Sequence, residues 1–146
     1  MSYSGHQSRP IVFGTNGMAS TGSPLATLTA IRVLERGGNA IDAAVAASAV
    51  LCVVDPASSG VGGDVFYTYF DSKTGQLDSL AGSGRSPRSA TSDKLSNGVP
   101  AYGPLSPTVP GIVQGWEDAL KRHGTRSLAA LLEPAIEYAR NGFPVP

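Results

Sequence analysis

Val33-Leu34-Glu35-Arg36-Gly37-Gly38-Asn39-Ala40-Ile41-Asp42-Ala43-Ala44-Val45-Ala46 joins two helices across a glycine pair. Glycine suits the left-handed backbone that ends a helix, so Gly37-Gly38 marks a stop. Asn39 can then cap a second helix by accepting a backbone N–H bond. That helix runs from Ala40 to about Val53, and its alanines at 43, 44, 46, 47 and 49 let a neighbouring backbone lie close. Asp55-Pro56 closes it, because the residue before proline is pushed out of the helical region. Upstream, Ser23-Pro24 opens the first helix, with Ser as cap and Pro at a position whose missing donor is not needed. This helix spans Pro24 to about Arg36, and Leu25, Leu28, Ile31 and Leu34 fall on one side at helical spacing.

Further towards the N-terminus, Pro10–Phe13 and Gly17–Ser20 read as short strands around a Thr15-Asn16-Gly17 turn. In the other direction the glycine-rich Ser58-Ser59-Gly60-Val61-Gly62-Gly63 leads into the β-branched and aromatic run Val65–Phe70. Asp71–Gly75 is a hairpin connection, and Gln76–Leu80 alternates as a half-buried return strand. Residues 81 to about 110 are dominated by Gly, Ser, Pro and Asn, a long loop with one short helical candidate near Ser92–Leu95. Two amphipathic helices follow. Ile112, Val113, Trp116, Ala119 and Leu120 share a face of the first, which also offers Glu117–Lys121 and Asp118–Arg122 as i,i+4 pairs. Leu128, Leu131, Leu132, Ala135, Ile136 and Ala139 share a face of the second, which stops at Asn141-Gly142.

Eleven basic side chains balance eleven acidic ones over 146 residues with no long run of either sign. Nothing in this pattern suggests a nucleic-acid face or an anionic membrane surface, and a small ligand is expected. The most apolar segment, Ala40–Val54, is too short to span a bilayer. The polar opening Met1–Pro10 lacks a secretory signal, which points to the cytoplasm. The single cysteine, Cys52, can form neither an internal disulfide nor a zinc site and reads as a buried hydrophobe. His6 and His123 lack metal-pair spacing, so no metal or cofactor is expected. His123 suits the negative end of a helix dipole. Asp42 and Asp64 read as capping groups, and Trp116 as core. The glycine-rich run precedes a strand, whereas phosphate-binding glycines follow one, so tight helix-to-strand packing is the expected reason for it.

Three ordered segments resemble the gamma-glutamyltransferase (gamma-glutamyltranspeptidase) family. The first is Gly17-Met18-Ala19-Ser20 with Ser23-Pro24-Leu25-Ala26 and the Val33–Ala46 block. The second is Val53-Val54-Asp55-Pro56 with Ser59-Gly60-Val61-Gly62-Gly63, the hairpin, and Gly84-Arg85-Ser86-Pro87. The third is Val109-Pro110-Gly111-Ile112-Val113-Gln114-Gly115 with Leu132–Val145. Together they cover nearly the whole chain.

The resemblance implies an N-terminal-nucleophile hydrolase, an α/β (α+β) fold in which two β-sheets lie between helical layers (αββα). Residues 1–146 would be an incomplete N-terminal portion of that domain, in the large subunit, rich in helices and carrying one hairpin. The nucleophile implied is a threonine freed by self-cleavage at the start of a second, small subunit from the same precursor. That threonine lies beyond this chain, which therefore supplies no catalytic residue of its own. The threonine attacks a gamma-glutamyl carbonyl, with its own amine as base, and the acyl group passes to an amino acid, a peptide or water. An arginine on the loop after the hairpin holds the substrate α-carboxylate in the family, since a guanidinium meets a carboxylate with two parallel hydrogen bonds. Arg85 is the candidate. Strict counting back from the proline would put Ser83 there, and Arg88 is a weaker candidate. Two other functions compete: a related amide acylase of the same fold, and a non-catalytic fragment that needs a partner and, expressed alone, is poorly soluble or self-associates.

Overall fold

The computed structural model describes residues 11–145. Helix α1 (Pro24–Glu35) and helix α2 (Ala40–Val54) come first, followed by strands β1 (Val65–Asp71) and β2 (Gln76–Gly82), helix α3 (Ile112–His123) and helix α4 (Leu128–Asn141). The predicted order of these six elements is recovered, and the bounds expected for α1, α2, β1 and β2 are met to within two residues. The short strands expected at Pro10–Phe13 and Gly17–Ser20 are not. Residues 11–20 form no strand, Ile11, Val12 and Phe13 are exposed, and Pro10 lies outside the described residues. Among the described residues only β1 and β2 pair, and a strand needs a partner for its backbone groups. Ser92–Leu95 is likewise a pair of turns, with Lys94 N–H bonded to Thr91 O and Leu95 N–H to Ser92 O.

The junction between α1 and α2 follows its sequence closely. Gly37 has φ 80°, its N–H bonds to Leu34 O at 3.0 Å, and Gly38 N–H bonds to Val33 O at 2.9 Å, the double-bonded Schellman stop. Asn39 and Asp42 then cap α2 reciprocally: Asn39 Oδ1 accepts from Asp42 N–H at 3.0 Å, and Asp42 Oδ2 accepts from Asn39 N–H at 2.9 Å. At the start of α1 the expected Ser23 cap is absent. Thr21 braces the turn instead without capping the helix: its hydroxyl donates to Ser23 O at 2.7 Å, lies 2.8 Å from Thr27 Oγ1 and accepts from Ser23 N–H at 3.3 Å.

The core is built on α2, which packs against α1 and α4 and less extensively against α3. Ala43, Ala46, Ala47, Ala49 and Val50 are buried, as are Ala26, Thr29 and Ala30 of α1. The face of α1 that is buried is thus not the row Leu25, Leu28, Ile31, Leu34. Leu28 is 41% exposed, and Leu25 and Leu34 lie half-buried at the margin. Small side chains at the centre of the contact let the two helices approach, and the leucines flank it. Trp116 is 3% exposed and its indole N–H donates to Ser48 Oγ at 3.2 Å, which confirms it as core.

The hairpin is antiparallel and pairs Val65 with Gly82 through Asp71 with Gln76. Its inner face carries Val65, Tyr67, Tyr69, Asp78, Leu80 and Gly82, over which α3 lies. Its outer face carries the pairs Phe66–Ala81 and Phe70–Leu77, with Phe66, Phe70 and Leu77 all more than 60% exposed.

Candidate functional site

The long loop between β2 and α3 begins and ends at one carboxylate. Asp64, just before β1, accepts from Ser83 Oγ at 3.0 Å and Gly84 N–H at 3.3 Å on one side of the loop. From the other side it accepts Thr108 Oγ1 at 3.0 and 3.3 Å. The Ser83 hydroxyl, with Gly84 N–H and Thr108, holds the Asp64 carboxyl below the usual carboxylate range against the opposing effect of desolvation. Next to this knot Val109 N–H bonds to Arg85 O at 3.1 Å, and Gly111 and Ile112 N–H both bond to Gly63 O at 3.0 Å. The two arms of the loop touch so closely that a Cβ added at Gly84 would stand 1.5 Å from Val109 O. Only glycine fits there.

Arg85 follows this pinned base. Its side chain is exposed, and among the described residues no side-chain hydrogen bond or ion pair engages its guanidinium. Ser83, the position reached by strict counting, has its hydroxyl committed to Asp64 and to Gly84 O. Arg88 is also exposed, three residues further from the pinned base. The capping reading of Asp64 was too narrow, since this side chain closes a loop and does not cap a helix. Its partners lie 19 to 44 residues away in the chain, which no local pattern could reveal.

Within the glycine-rich run only Gly63 is crowded, by Gly60 O at 3.3 Å, so the run as a whole does not make the expected tight helix-to-strand contact. A Cβ added at Gly60 or Gly62 meets nothing within 4 Å. The tight helix-to-strand approach lies instead at Gly115 of α3, where a Cβ would stand 2.2 Å from Val65 Cγ1.

A second polar cluster ties α3 to the inner face of the hairpin. Asp78 Oδ2 lies 2.7 Å from His123 Nε2 and 3.3 Å from Arg122 Nη1, and accepts from Tyr67 OH at 3.4 Å. The His123 ring lies on Tyr69 with centroids 4.4 Å apart. The hydrogen bond from His123, reinforced by Arg122 and by Ser79 N–H, lowers the Asp78 carboxyl to about 2 despite some desolvation. Desolvation and the Asp78 charge push the Tyr67 hydroxyl up, and the Asp78 bond does the same for Arg122. The expected Asp118–Arg122 pair therefore does not form: Arg122 reaches Asp78, while Asp118 accepts from Gln114 Nε2 at 3.0 Å. Glu117 and Lys121 do approach, at 4.0 Å. His123 has a carboxylate partner that was missed, although an aspartate on the inward side of an amphipathic strand was a readable signal.

Asp42 is more than a cap. It is fully buried, and besides Asn39 it accepts from Thr125 N–H at 2.9 Å, Arg126 N–H at 3.1 Å and the Thr125 hydroxyl, so one carboxylate binds the start of α2 to the α3–α4 turn. Burial alone would raise its pKa, but these bonds outweigh burial and lower it. Cys52 is half-buried, and desolvation pushes its thiol up. His6 lies outside the described residues. Among the described residues no group of three or more His, Cys, Asp or Glu side chains is placed to hold a metal ion, and no helix is long and apolar enough to cross a membrane.

The pattern that defines the gamma-glutamyltranspeptidase family matches residues 26–146. The chain belongs to that family. It is 47% identical over 137 residues to the glutathione hydrolase-like YwrD proenzyme of Bacillus subtilis, covering 92% of this chain and 26% of that protein. Among solved structures it superimposes on the gamma-glutamyltranspeptidase of Helicobacter pylori with a TM-score of 0.83 and 39% identity, over 92% of this chain and 40% of that one. It superimposes on the cephalosporin acylase of Bacillus halodurans with a TM-score of 0.87 and 42% identity, over 99% of this chain and 27% of that one. The chain spans about a quarter of the length of the curated relatives it matches. The four helices and two-stranded sheet of the described residues are thus an incomplete α+β portion of the N-terminal-nucleophile hydrolase fold, corresponding to the N-terminal part of those longer proteins.

Proposed function

We propose that the chain is the front part of an autoprocessed enzyme that transfers or hydrolyses the gamma-glutamyl group of small, glutathione-type substrates, with Arg85 receiving the substrate α-carboxylate. The observation that carries this reading is the placement of Arg85: a guanidinium free of protein partners among the described residues, on a backbone held from both sides. A charged group left free on a fixed base suits bidentate capture of a carboxylate, because little backbone freedom remains to be lost on binding. Family membership supports the chemistry. The threonine of a second subunit, cut from the same precursor, adds to the gamma-carbonyl, the amine leaves with a proton, and water or an amino acid then releases the acyl group. In this scheme the present chain orients the substrate, and the nucleophile comes from the other subunit.

A second reading, cleavage of other side-chain amides, is favoured by the similarity to the cephalosporin acylase. The full-length Arg85→Ala enzyme separates the two. For a gamma-glutamyl anilide, KM should rise by about 10- to 100-fold, the worth of hydrogen bonds to a charged group. For the matching 4-aminobutyryl anilide, which lacks the α-carboxylate, it should not change. Equal effects on both substrates would remove Arg85 from carboxylate binding and favour the acylase reading.

A further inference from the structure

We infer that Asp64 is the positioning residue of this site: by clamping both ends of the 83–109 loop it sets where the Arg85 guanidinium stands. The inference rests on the reading of Arg85 as the carboxylate-binding group. Three donors from the two ends of the loop converge on Asp64. Its Oδ1 takes Gly84 N–H at 3.3 Å and Thr108 Oγ1 at 3.0 Å, and its Oδ2 takes Ser83 Oγ at 3.0 Å and Thr108 Oγ1 at 3.3 Å. Ser83 and Gly84 immediately precede Arg85, and Thr108 immediately precedes Val109, the residue bonded to Arg85 O. Asp64 is itself placed by rigid neighbours. Strand β1 starts at the next residue, and the carbonyl of the preceding Gly63 takes the first two N–H groups at the start of α3.

The position of Arg85 is therefore referred to the hairpin and to α3 through one side chain. The rest of the loop, exposed and rich in Gly, Ser and Pro, offers no comparable anchor. Without the carboxylate the loop ends lose three donors' worth of restraint, and the Val109–Arg85 bond, now the only tie described between them, opens more often. The guanidinium then samples a wider arc, and substrate capture carries a larger ordering cost. The hydroxyls of Ser83 and Thr108 can also accept, so an asparagine at 64 can keep Gly84 N–H on its oxygen and donate to a hydroxyl from its nitrogen. Asp64→Asn should therefore preserve the clamp, whereas Asp64→Ala should open it.

The test is a cycle in the full-length enzyme: Asp64→Ala, Asp64→Asn, Arg85→Ala and the Asp64→Ala/Arg85→Ala double variant. KM and kcat for the gamma-glutamyl anilide are read alongside amide hydrogen exchange at Gly84 and Val109. Asp64→Ala should raise KM by about tenfold with kcat within about twofold, speed exchange at both amides, and have no further effect on KM once Arg85 is gone. Asp64→Asn should restore KM to within about threefold of the parent. Thr108→Val, which removes one arm of the clamp, gives a milder version should Asp64→Ala fail to fold. If Arg85→Ala alone leaves KM unchanged, the carboxylate-binding reading falls and the inference with it. If Arg85→Ala raises KM but Asp64→Ala does not, or does so equally in both backgrounds, the positioning role alone is overturned. Faster exchange with unchanged KM counts against it in the same way.

Discussion

Asp78 Oδ2 stands 2.7 Å from His123 Nε2, so a hairpin strand and the last residue of a helix 45 positions later share one short polar contact. Because the Asp78 carboxyl is lowered from 3.8 to about 2 in the fold, its charged form is favoured there over the unfolded chain. A depressed carboxylate contributes stability that is complete above its unfolded pKa and is lost as pH falls through the folded value. The contribution should thus be full above about pH 5 and disappear between there and about pH 2. Denaturant midpoints at pH 6 and pH 3 for the parent and Asp78→Asn check this. The parent should lose more on acidification, and equal losses would mean that the contact adds nothing.

Asp42 is the more demanding case, being fully buried with four donors around it. Asp42→Ala should lower stability by about 3 kcal/mol, since it strands the N–H groups of Asn39, Thr125 and Arg126. Asp42→Asn should recover only part of that, because its amide nitrogen cannot accept from an N–H. Urea unfolding followed by tryptophan fluorescence measures both, and Trp116, the only tryptophan, reports on the core.

Glycines of this chain should divide sharply by surroundings. Gly84→Ala has no room, with Val109 O 1.5 Å from the new carbon, and should separate the loop arms and expose residues 85–108 to proteolysis. Gly60→Ala meets nothing within 4 Å and should stay within about 0.5 kcal/mol of the parent. Limited proteolysis with mass spectrometry distinguishes the two.

The outer face of the hairpin, with Phe66, Phe70 and Leu77 exposed, leaves an apolar surface and two unpaired strand edges among the described residues. Residues 1–146 expressed alone should self-associate. The triple variant Phe66→Thr, Phe70→Thr, Leu77→Thr should shift the material towards monomer while keeping β-propensity. Light scattering after gel filtration gives the answer, and a monomeric parent would refute the expectation.

Much of the architecture was legible because the signals were local. Gly37-Gly38 followed by Asn39 marks a helix stop and start from backbone chemistry alone, and Asn39 with Asp42 closes the capping box that such spacing allows. The hairpin and the two late helices were equally plain. Local signals mislead where an element needs a partner from elsewhere in the chain. Gly17–Ser20 looks like a strand but has nothing to pair with among the described residues. The leucine row of α1 is a good stripe, yet small Ala26 and Ala30 form the contact because alanine-rich α2 can come close only there.

By itself the sequence determined the order of the elements, the family resemblance and the choice of Arg85 as candidate, since each depends on residues near one another in the chain. Only the tertiary structure decided what Asp42, Asp64, Asp78 and Arg122 do. A carboxylate takes its role from the donors that surround it, and here the deciding ones include groups 19 to 84 residues away, brought together by packing that no short pattern encodes.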